Sequence, residues 1–298
     1  MNKNLSSGLV LAMLGSVAFS GKAIIVKLAY RYGVDAVTLI MLRMLFALPI
    51  FALMAYLASR GKAALTRTDW FGVLGLGFTG YYLASFLDFA GLAYISASLE
   101  RLILYLNPTL VLLFGWVVYK RRVVPLQVLG IAISYCGVAL VFGHELTLQS
   151  STQRGHTGWG SALVFFSAIS YAVYLVYSGE MVKRLGALRL VGLATTTACV
   201  LCIVQFLLLR PLSAAMVAPE VIGLSVLNAT LCTAAPVLMV MMAIERIGAS
   251  TAAQTGMIGP ISTILMGVVI LGEPFTAWVA AGTILVIAGI FVFTKAKQ

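Results

Sequence analysis

Two stretches of the chain repeat one another: "ISASLERLILYLNP", Ile95 to Pro108, and "IGASTAAQTGMIGP", Ile247 to Pro260. Each opens on Ile-x-Ala-Ser and ends on a proline inside an apolar run. The prolines are 152 residues apart (260 − 108), and that offset also carries Gly115 onto Gly267, Val117 onto Val269, Gly130 onto Gly282 and Gly137 onto Gly289. The chain therefore reads as two homologous halves.

The solvent of those halves follows from composition. Of 298 residues, 61% are hydrophobic and 10% charged. A soluble domain carries about one quarter charged residues, so this set cannot cover a water-facing surface. Ten apolar runs are long enough to cross a bilayer, at about 6–28, 36–58, 70–91, 97–119, 124–143, 159–179, 188–209, 220–243, 249–271 and 275–294. The first is read as a retained span rather than a cleaved leader, because nine more follow it. The expected fold is an all-α polytopic membrane protein of ten transmembrane helices. Five spans per half is an odd number, so the halves enter the membrane from opposite sides and form inverted repeats. The divisions are 1–143 for the first five-helix repeat, 144–157 for an outer loop, and 158–298 for the second repeat. In transporters this architecture puts the substrate near the midplane, between the repeats.

A net charge of +11 would suit nucleic acid, but its placement argues for lipid. With the N-terminus inside, Lys3, Arg60, Lys62, Arg67, Lys120, Arg121, Arg122, Lys183, Arg184, Arg189, Arg246, Lys295 and Lys297 all fall on the cytoplasmic side. That asymmetry fits the positive-inside rule and makes both termini cytoplasmic. The expected surroundings are a lipid bilayer, with no nucleic acid. There is no Walker-type loop, so ATP-driven pumping by this chain is not expected. Cys136, Cys199, Cys202 and Cys232 all lie in apolar spans and read as buried, unpaired thiols. The histidines, His144 and His156, share one loop and no metal-ligand cluster appears, so no cofactor and no metal are expected and a membrane-embedded enzyme is the weakest reading.

Polar residues inside the spans are the candidate machinery. Lys22, Lys27, Arg43, Asp88, Glu100 and Arg101 fall in the outer half of the first repeat; the offset maps Asp88, Glu100 and Arg101 onto Val240, Ala252 and Ala253, so the second repeat lacks this set. A charge in the bilayer core costs at least ~2.5–3.5 kcal/mol on insertion scales, so such groups pair or face water. One reading pairs Arg43 and Arg101 with Asp88 and Glu100 and sends the lysines outward. The other has some of the set, with Lys22, line a wet vestibule or hold the ends of a zwitterion. Asp88 and Glu100 are the in-span carboxylates available if protons drive the cycle. Pro108 and Pro260 remove a helical hydrogen bond in mid-span, and Asn107 and Gln254 lie near those breaks. Ser167, Tyr171, Tyr174 and Ser178 recur at helical spacing on one face, as do Tyr81, Ser85 and Asp88, with Tyr82 and Phe86 on an adjoining face. Tyr105 follows Arg101 by one turn, and Asn228 lies in the eighth span. A tyrosine-lined cavity offers rings to an apolar group and hydroxyls to polar atoms.

Ala97-Ser98, Pro108 and Gly130 in one half, with Ala249-Ser250, Pro260, Glu273 and Gly282 in the other, resemble the drug/metabolite transporter superfamily, EamA type. Position 121, the offset partner of Glu273, is Arg, and Ser20-Gly21 stands where the family has Trp-Gly. Within the family the resemblance is to the YddG-like aromatic amino-acid exporters. It implies a basket of ten helices that exports aromatic and other neutral amino acids, with amino acids as the small-molecule substrate. Another cargo of the same fold, such as a drug or other metabolite, is the alternative.

Overall fold

The computed structural model describes residues 3–120, 124–147, 151–255 and 258–295. The helices in chain order are α1 (Lys3–Tyr30), α2 (Ala36–Ser59), α3 (Arg67–Leu76), α4 (Ala84–Leu92), α5 (Ala97–Leu104), α6 (Asn107–Tyr119), α7 (Pro125–Thr147), α8 (Ser151–Leu185), α9 (Ala187–Leu209), α10 (Pro219–Ala229), α11 (Ala235–Thr255), α12 (Ile258–Met266) and α13 (Ala277–Lys295). Among the described residues, eight continuous helical stretches are long and apolar enough to cross a bilayer, and they overlap the first eight expected runs. Two shorter apolar helices, Ile261–Leu271 and Ala277–Val292, occupy the last two.

Several connections differ from the sequence reading. The expected loop at 144–157 is mostly helical, since α7 runs to Thr147 and α8 begins at Ser151. The turn expected after residue 243 is absent, because α11 continues to Thr255. Hydropathy marks where apolar residues stop, and a helix does not have to end there: backbone hydrogen bonds carry it on into a polar segment.

Helix starts follow local chemistry. Asp35 caps α2, accepting from the backbone N–H groups of Val37 and Thr38. Thr66 and Asp69 form a reciprocal capping box at α3. In the fourth run, the helix breaks at Tyr105 and Leu106, just before Pro108. The ring removes the donor that the Leu104 carbonyl would have used.

The helices pair with two-fold logic. The first span packs on α11 as the third span (α4) packs on α8; α1 also packs on α12, as α8 packs on α5 and α6. Two pairings, α2 with α9 and α7 with α13, join equivalent helices of the two halves. The α7–α13 seam is backbone on backbone. A Cβ at Gly137 would lie 2.6 Å from the Gly282 carbonyl oxygen, and one at Gly289 would lie 2.5 Å from that of Gly130. Small residues permit this approach where lipid offers no hydrophobic drive. Local backbone repeats too. A π-helical turn spans Gly77–Leu83 between α3 and α4, and another spans Thr230–Ala234 between α10 and α11. Shifted by the repeat offset, the first overlies the second.

The side chains at the helix ends suit a bilayer. Trp70, Trp116, Trp159 and Trp278 are all exposed and lie near the ends of their spans, as interfacial aromatics do.

Candidate functional site

A cavity of about 460 Å³ lies at the interface of the two halves. Six offset-matched pairs of positions both face it: Phe19 with Tyr171, Lys22 with Tyr174, Gly80 with Cys232, Tyr81 with Thr233, Ser85 with Val237, and Asp88 with Val240. The same helix faces of both repeats thus build one chamber. Their chemistry differs. The first repeat contributes the charges, Lys22, Arg43, Asp88 and Arg101; the second contributes rings, hydroxyls and aliphatic groups.

At the charged end, Lys22 Nζ lies 2.5 Å from Asp88 Oδ2 and 3.6 Å from Glu100 Oε1. Arg43 donates to Ser85 Oγ at 3.0 Å, and its guanidinium lies 4.8 Å from the Phe89 ring centre. Arg101 reaches the Phe19 carbonyl oxygen at 3.4 Å. Among the described residues, neither arginine has a carboxylate within ion-pair distance. This corrects the expected arginine–carboxylate pairing. Lys22 does not reach outward: it sits eight residues, roughly 12 Å, below the end of α1, too deep for a lysine to reach the interface. Lys27 does lie near that end, yet it turns inward to the carbonyls of Leu92 and Ile95.

At the other end are the tyrosines. The Tyr81 and Tyr174 hydroxyls are 3.2 Å apart, and the Tyr171 and Tyr174 rings stack at 5.5 Å. Tyr174 lies flat against Gly80, where a Cβ would be 2.4 Å from the ring. The π-helical turn holding Gly80 presents bare backbone at that point. Ser167 lines the chamber and donates to the Ala84 carbonyl. Leu104, Tyr105 and Asn107 bring the break in the fourth run to the wall. Tyr105 also meets the second repeat, its hydroxyl 2.9 Å from where a Gly259 Cβ would stand, so the two proline-bearing segments face each other.

Four expected site residues lie elsewhere. Tyr82 and Phe86 pack against the core formed by α2 and α9, because they lie on the other face of the third span. Glu100 is fully buried behind Lys22 and Asp88, not on the wall. Asn228 is buried in α10, its side-chain nitrogen and oxygen both without a partner among the described residues. The side chain of Gln254, and those of Pro108 and Pro260, fall outside the described residues. Apolar wall residues such as Phe51 and Val191 gave no signal among other apolar residues. Carrying the polar stripes across by the repeat offset points to four of the missed positions: Phe19, Thr233, Val237 and Val240.

The chamber is closed at the Asp88 end. Above it, Tyr30 donates to the Phe89 carbonyl at 2.5 Å, and Arg31 donates to the Leu271 carbonyl at 2.8 Å. Glu273 of the second repeat caps α5 of the first. Its carboxylate accepts from Ala97 N at 2.7 Å, Ser98 N at 3.2 Å and Ser98 Oγ at 2.8 Å. Gly272, at φ +74°, turns the chain into this position, and Gly267 leaves space for the carboxylate. Ser96, the N-cap of α5, also bonds Glu145. In the other direction the wall extends to Val182 and Ala187. These flank the end of the bundle where Arg184 binds Asp69 at 3.0 Å.

A polytopic helical bundle made of two repeats, with a polar chamber between them closed at one end, is the construction of a membrane transporter. The profile of the EamA-like transporter family matches residues 6–143 and 158–295. The chain belongs to that family. It is 30% identical over 287 residues to the uncharacterized transporter YcbK of Bacillus subtilis (strain 168), covering 90% of this chain and 86% of that one. It is 25% identical over 290 residues to an uncharacterized transporter of Archaeoglobus fulgidus, covering 97% of each. A solved crystal structure shares the fold at a TM-score of 0.64 and 20% identity, over 98% of this chain and 97% of that one.

Proposed function

We propose that this transporter exports small carboxylate-bearing metabolites, foremost aromatic and other neutral amino acids, by alternating access. The observation that carries the reading is the composition of the chamber wall. Three cations, Lys22, Arg43 and Arg101, share it with one carboxylate, Asp88. That excess suits a substrate carboxylate and opposes a lipophilic cation. Asp88 offers a partner for an ammonium group. Phe19, Tyr171 and Tyr174 offer rings to an apolar side chain. A chamber of about 460 Å³ is within the usual range for small-molecule pockets.

The bundle sits in a bacterial inner membrane with both termini cytoplasmic, as the basic residues favour. The units that exchange conformations are 1–143 and 158–298. With that orientation the Arg184 end of the chamber is the cytoplasmic one, where an exporter loads. The resemblance to YddG-like exporters and the mixed charge of the wall support amino acids over other organic anions.

Counterflow in proteoliposomes tests the reading. Vesicles preloaded with unlabelled phenylalanine, methionine or threonine should take up the labelled compound several-fold faster than protein-free vesicles. If none of the three moves faster, amino acids are not the cargo. If a carboxylate without an ammonium group moves instead, the cargo is a plain organic acid.

A further inference from the structure

Among the described residues, the ion cluster beside the chamber lacks one hydrogen-bond donor. Lys22, Asp88 and Glu100 come from α1, α4 and α5 and are nearly shut off from solvent, at 14%, 2% and 0% side-chain exposure. One ammonium group serves two carboxylates, and the shorter contact goes to Asp88. Both oxygens of Glu100 and Oδ1 of Asp88 are buried without a hydrogen-bond partner among the described residues.

Among the described residues, the surrounding elements do not supply the missing donor. Arg101, on the same helix as Glu100, donates to the Phe19 carbonyl, and Arg43 of α2 donates to Ser85 beside the Phe89 ring. Each keeps a buried, unpartnered Nε, but neither guanidinium lies within ion-pair distance of Asp88 or Glu100. The Tyr30 hydroxyl of α1 donates to the Phe89 carbonyl. Glu145 of α7 is engaged by Ser96, a turn away. The α12 sequence has no charged residue, and Lys183 and Arg184 of α8 lie in its last turn, toward the opposite end.

We propose that Asp88 and Glu100 share one exchangeable proton, and that this proton is the counter-ion of transport; the coupling rests on the transport reading above. A buried carboxylate with no donor is costly when ionised. A proton on Glu100 turns an acceptor-only group into a donor and removes one charge from a water-poor site. Two carboxylates against a single ammonium then become one ion pair and one neutral acid.

The cluster is wired to the chamber because Lys22 and Asp88 form part of its wall while Glu100 lies behind them. When the ammonium of an amino acid settles against Asp88, the site gains a second cation. The shared proton then leaves Glu100 by way of Asp88, the carboxylate on the wall, to water in the chamber, and the Glu100 carboxylate left behind takes up the contact with Lys22. After the substrate leaves on the far side, a proton from water there returns to the pair. One proton enters for each substrate exported. The second repeat has Val240 and Ala252 at the matching positions, so it offers no second proton site there.

Infrared difference spectroscopy on the full-length protein in liposomes, stepped across neutral pH without substrate, reads the proton directly. The wild type should show a protonated-carboxyl C=O band that both Glu100→Gln and Asp88→Asn remove, because either change leaves one carboxylate to one ammonium. Persistence of the band in either variant overturns the shared proton. Coupling is read as phenylalanine accumulation under a pH gradient divided by zero-gradient counterflow. That ratio should fall at least tenfold in Glu100→Gln, and an equal ratio in wild type and variant overturns the coupling. Absent counterflow in the wild type would sink the amino-acid reading, while the infrared result would still judge the proton site.

Discussion

Arg43 reaches the chamber from the middle of α2 with its Nε buried and unpartnered. A guanidinium held on one side by Ser85 and a ring keeps donors free for an incoming carboxylate. Arg43→Gln should therefore raise KM for phenylalanine by ~10–100-fold, the worth of a charged hydrogen bond of about 1.5–3 kcal/mol. The same variant should move KM for phenylalaninamide far less. Equal effects on both compounds would mean that Arg43 is structural. Asp35 lies outside the spans, where solution pH reaches it. Partial burial alone would raise its pKa, but the Thr38 side chain and backbone, Arg210 and the Val37 amide outweigh that and hold it below the usual 3.8. A lowered folded pKa gives stability that is complete above the unfolded value and lost as pH falls through the folded one. Asp35→Ala should cost about 1 kcal/mol at neutral pH, as lost helix caps do. In thermal melts, the gap to wild type should narrow as pH drops below that range. Residue types and spacing revealed most of the charged and tyrosine positions in the sequence. Which cation meets which carboxylate was not legible, because the rotation of α1 about its axis is set by packing against α4, α11 and α12 rather than by its own uniformly apolar faces.

Pairs of elements carry the architecture, and the α7–α13 seam is the most demanding of them. Gly137 and Gly282 approach so closely that any Cβ meets a backbone carbonyl, which cannot rotate aside as a side chain can. Gly137→Val should push the helices apart and destabilise the protein by about 1–3 kcal/mol, in the range of overpacking. A melting-temperature series over Ala, Val and Leu at this position would check it; a flat series would show that the seam is loose. The glycine spacing of these last helices was visible in the sequence, and so was the proline break in the fourth run. The paired π-helical turns were not. No residue type marks an extra backbone residue in a helix, though one of these turns sets Gly80 against the Tyr174 ring. Helix ends were also misjudged, at α7, α8 and α11, where polar sequence stays helical.

For the whole molecule, alternating access requires the closed end to open and the open end to close. The Glu273 cap on α5 joins the two repeats at the closed end. Glu273→Gln keeps the side-chain size but removes the charge that favours a helix N-terminus. With the native cysteines replaced and a cysteine placed at Ser178, an impermeant maleimide should label the protein from the Arg184 side. In the Glu273→Gln background, labelling from the opposite side should rise several-fold. No change would show that Arg31, Tyr30 and Lys27 close that end without help from the cap.

That carboxylate has no mirror image, since position 121 carries Arg where symmetry asks for an acid. The stretch that would answer Ala97-Ser98, Ala249-Ser250, lies inside α11 and offers no helix start to cap. The two mouths are therefore fastened by unlike means: a carboxylate on a helix start at one, a half-exposed ion pair between Arg184 and Asp69 at the other. Unlocking the first uncaps a helix, whereas unlocking the second only parts two ions that salt already screens.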